Sequence, residues 1–127
     1  MKSILMLICG AFCVFGGIMH SVAGLPALHA ELAKTSVSTQ LALELSIFWV
    51  MASASVATFG GILLTCGWRM RKRDHSGSTY ALWVATFLVL FNAAAMIWFG
   101  KFEPHFFAFA VVGILAAFAA LPLKTAT

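Results

Sequence analysis

Four apolar blocks, each about as long as a bilayer is thick, run through the sequence: Ile4 to Gly24, Leu41 to Trp68, Thr79 to Phe99 and His105 to Leu123. A spanning helix takes roughly 20 apolar residues. With 127 residues in all, little chain is left over for an extramembrane domain. Only 9% of residues are charged and 62% are hydrophobic, whereas an ordinary soluble domain is about one-quarter charged. None of the blocks alternates in the manner of a strand, and a segment in lipid must satisfy its own backbone hydrogen bonds. The expectation is an all-α protein, a single transmembrane domain over residues 1–127, built as a four-helix bundle with helices at 4–24, 41–68, 79–99 and 105–123.

Short connections make successive helices antiparallel neighbours. The connections are Leu25 to Gln40, with Pro26 near its start, the basic stretch Arg69 to Ser78, and the tight turn Gly100 to Pro104. In an up-down arrangement Lys2, Arg69, Arg71, Lys72, Arg73 and Lys124 collect at one end, and Lys34 and Lys101 at the other. The richer end faces the cytoplasm by the positive-inside rule, so both termini are expected there. Trp68 and Trp83 then mark the inner interface and Trp98 the outer one, while Trp49 lies deeper and packs. A first helix ending in Gly17 to Gly24, with His20 between, resembles small bacterial membrane proteins in general, which implies the bacterial inner membrane as the location.

Two details of the blocks carry consequences. The second block, about 28 residues, makes a helix about 42 Å long, so it tilts or protrudes, lifting Glu44 to headgroup level with Thr39 as a cap. The first block has a rival reading as a secretory signal over residues 1–23, because Ser21-Val22-Ala23 resembles a cleavage site. The apolar run Ile4 to Met19 is longer than a typical signal core, which favours a retained helix.

Lipid gives helices no hydrophobic reason to associate, so small residues and polar contacts must do it. Cys9, Cys13, Gly17 and Ser21 recur every fourth residue on the first helix, as Ser53, Ala57 and Gly61 do on the second, and these stripes are expected to face each other. Phe109, Gly113 and Ala117 share a face of the fourth helix, and Asn92 precedes Ala93 to Ala95 on the third.

The polar residues gather at the outer end: His20, His29, Glu31, Glu44, Glu103 and His105, with Asn92 in the outer half. An ionisable group inside a membrane is costly and marks a candidate site. His20, Glu44 and His105, with Asn92 nearby, are therefore the candidate ligand or metal set, two imidazoles and a carboxylate leaving a coordination position open. The alternative is purely structural, with His20 bonded to Asn92 or a backbone carbonyl and the other two facing headgroups. His20 and His105 also qualify as axial haem ligands. Cys9, Cys13 and Cys66 lie toward the reducing end, where a soft-metal site competes with plain burial.

Arg69, Arg71, Lys72 and Arg73 fit a topology signal and anionic lipid headgroups; a nucleic-acid site would need a larger basic surface. The sequence contains no phosphate loop, zinc-protease helix, nucleophile elbow or nucleotide fingerprint, and no central carboxylate in the first helix as the small multidrug-resistance transporters require. No catalytic residue and no particular cofactor is indicated. Three functions stay open: a structural or accessory subunit of a membrane complex or homo-oligomer, ranked first; binding or transport of a small ligand or metal ion in the outer pocket; and a haem- or quinone-linked redox subunit. The expected partners are membrane lipid and other membrane subunits or further copies of the chain.

Overall fold

The computed structural model describes residues 1–100 and 102–121. Lys101 and Lys124, which enter the charge count, and the end of the expected fourth helix lie outside the described residues. The described chain is all-helical: α1 Lys2–Val22, α2 Gly24–Leu32, α3 Thr39–Arg71, α4 Ser78–Phe99 and α5 Pro104–Ala120. Three stretches are long and apolar enough to cross a membrane, namely Lys2–Leu32, Thr39–Arg71 and Ser78–Phe99, and Pro104–Ala120 is a shorter apolar helix.

The segment expected to be a connection after Gly24 contains α2 instead. Pro26 is what separates it from α1. Proline has no N–H to donate to the carbonyl four residues back, here Val22, and its ring crowds that carbonyl, yet within the first turn of a new helix neither matters. The helix therefore stops at Val22 and restarts at Gly24. The cap of α3 also differs from expectation, since Ser38 caps it, its hydroxyl accepting from Leu41 N–H at 3.2 Å, while Thr39 is the first helical residue.

α1 packs most extensively against α3, α4 against α5, and α1 also touches α5, whereas α3 and α4 meet only lightly. The α1–α3 contact is antiparallel and built on glycine. A Cβ added to Gly10 would lie 2.8 Å from the Gly60 carbonyl oxygen, one on Gly60 2.6 Å from Val14 N, and one on Gly17 2.6 Å from the Ser53 carbonyl oxygen. The backbones themselves are in contact. Gly61, expected on this seam, has nothing within 4 Å of an added Cβ; its neighbour Gly60 takes the place. The residues that meet are spaced alternately three and four apart, Leu7, Gly10, Val14 and Gly17 on one side and Ser53, Ala57, Gly60, Leu64 and Gly67 on the other. That is a seven-residue repeat, the pattern of a left-handed coiled pair. A strict four-residue stripe rotates about 40° per step and leaves the seam.

On the other side of the bundle Gly113 of α5 abuts the Ala85 carbonyl of α4, where a Cβ would come within 2.9 Å. Gly100 ends α4 at φ 61°, the left-handed conformation that closes a helix and that glycine adopts without strain. At the opposite end Lys2 donates to the Leu121 carbonyl, so the start of α1 and the end of α5 are level. In the connection between α3 and α4, Arg69 Nε lies 3.0 Å from Asp74 Oδ2. Hydrogen bonds from Ser76, with Arg69 alongside, hold the Asp74 carboxyl below its usual range.

Candidate functional site

Because α3 and α4 touch only lightly, space remains between them, bounded behind by α1 and α5: a cavity of about 320 Å³. Its polar groups come from four helices, His20 of α1, Ser55 of α3, Asn92 of α4 and His105 of α5. Its walls are aromatic, with Phe48 and Phe59 from α3, Phe87 and Phe91 from α4, and Phe106 and Phe109 from α5. Gly16 and Gly17 form part of the floor, and Gly16 is small because Phe109 lies across it; a Cβ there would come within 2.8 Å of the ring. Residues lining the α3 and α4 sides, Phe48, Met51, Phe87 and Phe91, are themselves half-exposed or more. The cavity therefore opens between these two helices through an apolar mouth.

His20 is held rigidly. Its imidazole stacks on the Trp49 indole with centroids 4.1 Å apart and planes within 6°. The Trp49 Nε1–H donates to the His20 carbonyl at 2.7 Å, replacing the bond that a continuous helix would have taken from Gly24. Gly24 itself accommodates the indole, since a Cβ there would stand 2.8 Å from the ring. The break between α1 and α2 thus creates the acceptor and the space that dock Trp49.

The hydrogen-bond network fixes the tautomer of His20. Ser53 Oγ has one proton, and it goes to the Trp49 carbonyl at 2.8 Å. Ser53 Oγ is then an acceptor toward His20 Nδ1, 2.8 Å away, so the hydrogen of the neutral ring sits on Nδ1 and Nε2 keeps a free lone pair. The same logic applies one step further out, where Ser46 donates to the Ala42 carbonyl at 2.8 Å and accepts from His29 Nε2 at 2.9 Å. His20 is thus bonded to neither Asn92 nor a backbone carbonyl.

Asn92 is only 4% exposed. Its amide nitrogen donates to the Leu88 carbonyl at 2.6 Å, an assignment that a carbonyl acceptor enforces. Its Oδ1 has no hydrogen-bond partner among the described residues, yet no polar side-chain atom among them is both sealed and unpartnered. Oδ1 therefore reaches open space, and the space Asn92 lines is the cavity. His105 sits nearer the rim, exposed, with Nδ1 3.9 Å from Glu103 Oε2 and its ring against Phe106.

Glu44 does not join this set. It is exposed, takes a hydrogen bond from Gln40 at 3.1 Å and is not part of the cavity lining. Among the described residues no three His, Cys, Asp or Glu side chains come together to hold a metal ion. Of the thiols, Cys9 and Cys13 are buried core residues and Cys66 donates to the Gly77 carbonyl at 3.2 Å. Arg69, Arg71, Lys72 and Arg73 lie together and exposed at the far end from the cavity, with Arg71 and Lys72 over the Trp68 ring at 5.9 and 5.7 Å. Trp49 was expected to pack, but its stacking on His20 and the polar role of Ser53 are what sequence reasoning missed. The signal was there in the four-residue step from Trp49 to Ser53, which puts both on one helix face opposite His20.

Comparison of the chain with protein-family models, with characterised proteins and with solved structures finds no match. The site has to be interpreted from its own chemistry.

Proposed function

We propose that this is an integral membrane protein of four spans, with both termini on the cytoplasmic side, that binds a small lipid-soluble molecule in the cavity of its outer half. The observation that carries the ligand-binding part is the convergence of His20, Asn92 and His105, from three helices, on one aromatic-walled space. Binding sites of this kind are concave, mostly apolar and equipped with a few placed polar groups. A protein acting only as packing material in a complex has no use for an orienting network around His20. That moves ligand binding ahead of the accessory-subunit reading.

The membrane part is supported by the apolar lengths of the helices and by large hydrophobic side chains such as Ile97 (80% exposed) facing outward. α5, at 17 residues, is about 25 Å long, at the lower limit for a span. Its end is level with the start of α1 through the Lys2 contact, which supports a full crossing. Exposed basic residues at one end, and exposed Trp68 and Trp83 near them, fit the inner interface. Measured along α3, Ser53 is about 24 Å above Arg69, so a core about 30 Å thick would leave the His20 bond just inside the outer boundary. The bacterial inner membrane is the location this reading implies.

A plug tests it. Ala52 lines the cavity and is exposed, so Ala52→Phe should fill the cavity without disturbing the seam. Wild-type protein purified in mild detergent should carry a lipid-soluble molecule at near one equivalent, read by solvent extraction and mass spectrometry, and Ala52→Phe should lose it. Equal recovery of the same molecules from both would refute a ligand site here.

A further inference from the structure

The geometry points to a specific ligand class: a neutral, hydrophobic molecule with a hydroxyl head group, a phenol or alcohol, held in preference to its ether or ketone counterpart. This rests on the ligand-binding reading above and deepens it. The argument is one of donors and acceptors. His20 Nδ1–H is committed to Ser53, whose own proton is committed to the Trp49 carbonyl, so the group His20 has left to offer is the Nε2 lone pair. Asn92 has spent one of its two amide hydrogens on the Leu88 carbonyl and keeps the other, and its carbonyl Oδ1, on a side chain 4% exposed, has no partner among the described residues. Ser55, also on the lining, donates to the Met51 carbonyl at 2.9 Å and likewise keeps only acceptor capacity.

Three lining groups from three helices thus present acceptors, while the second amide hydrogen of Asn92 and the ring N–H of His105 at the rim remain as donors. An acceptor facing an apolar space without a donor is costly, and a ligand hydroxyl relieves it with its O–H while its oxygen takes a remaining lining donor, whereas a carbonyl or ether oxygen can only accept and leaves the lining acceptors unmet. An ammonium head would also supply donors, but among the described residues the lining contains no Asp or Glu to neutralise it, and a desolvated cation requires such a partner. Neutrality follows. The aromatic walls, with Phe87 stacked on Phe91 at a centroid distance of 5.5 Å and tilted 57° against Phe59 at 5.0 Å, suit a flat apolar body. The mouth flanked by Phe48 and Met51 admits such a body from the lipid side.

The two probes that separate the alternatives are 4-butylphenol and 4-butylanisole, alike in shape except that the O–H of one is an O–CH3 in the other. Full-length wild-type protein in phospholipid nanodiscs is titrated with each by calorimetry, with empty nanodiscs subtracted. The phenol should bind at one equivalent and at least about tenfold tighter than the anisole, the value of one to two hydrogen bonds. In Asn92→Leu, which keeps the side chain's size and removes Oδ1, the ratio should fall toward one while anisole binding holds. Equal affinity of both probes for the wild type would overturn donor selection and leave the ligand cavity standing. Failure of both probes to bind would overturn this inference together with the ligand-binding reading.

Discussion

Gly60→Ala is expected to destabilise the protein by about 2–3 kcal/mol, while Gly61→Ala, one residue away, leaves it unchanged or gains about 0.5 kcal/mol. The two substitutions are chemically identical and sit in the same helix. At Gly60 the new methyl would stand 2.6 Å from Val14 N and 2.7 Å from the Gly10 carbonyl oxygen. Both are backbone atoms in a regular helix, so neither can turn aside, and α1 and α3 must separate along the seam. Loss of close packing is the main term here, because in the proposed membrane setting lipid supplies no hydrophobic force to close the gap again. At Gly61 the methyl meets nothing within 4 Å, and only the helix preference of alanine over glycine counts. Denaturation in mixed micelles, followed by circular dichroism, reads both values. If the two variants lose stability equally, the seam does not run through Gly60.

Trp49→Ala is expected to cost about 3 kcal/mol, the lower end of the scale for removing a large aromatic ring, because Trp49 is half-buried. Three contacts go at once: the stack on His20, the indole donation to the His20 carbonyl, and the filling of the space above Gly24. Trp49→Phe keeps a ring in place and loses the donor, so it should cost about 1 kcal/mol. The same pair of variants has a second readout. Nitrogen NMR of the His20 ring should report hydrogen on Nδ1 in the wild type and in Trp49→Phe, since Ser53 still accepts there, and exchange between tautomers in Ser53→Ala. A wild-type ring with its hydrogen on Nε2 would contradict the network.

What the sequence made legible is the helical class, and the proposed lipid environment accounts for it. An apolar block placed in lipid must be helical to satisfy its backbone, and α3, α4 and α5 fall within a few residues of the blocks that announce them. The placing of His20, Asn92 and His105 toward one end needed only the alternation of direction between blocks. Face and depth within a helix were harder. Glu44 is nine residues before Ser53 on α3, which turns it about 180° to the opposite face and carries it about 13 Å further out. Ser46, seven residues before Ser53, stays on the seam and takes His29 instead. Gly61 failed for the same angular reason: eight residues from Ser53 is about 80° off the seam, and seven, at Gly60, is about 20°. α2 was hidden by Pro26, which marks a turn and the first turn of a helix equally well. The spacing of Gly10, Gly17 and Gly24 against Ser53, Gly60 and Gly67, each by sevens, was the sign of the α1–α3 seam all along.

The reading of the cavity depends on its lying in the outer half of a four-span protein, and thiol labelling in intact cells tests that arrangement most directly. Three exposed positions serve: Thr35 between α2 and α3, Ser76 between α3 and α4, and Phe102 between α4 and α5. Each is replaced singly by cysteine in the full chain, and a membrane-impermeant maleimide is added before or after lysis; the native thiols, all buried, provide the background. Thr35→Cys and Phe102→Cys should label in intact cells, and Ser76→Cys only once the membrane is opened. Labelling of Ser76→Cys in intact cells, or protection of either of the other two, would contradict the four-span orientation and the outer placement of the cavity with it.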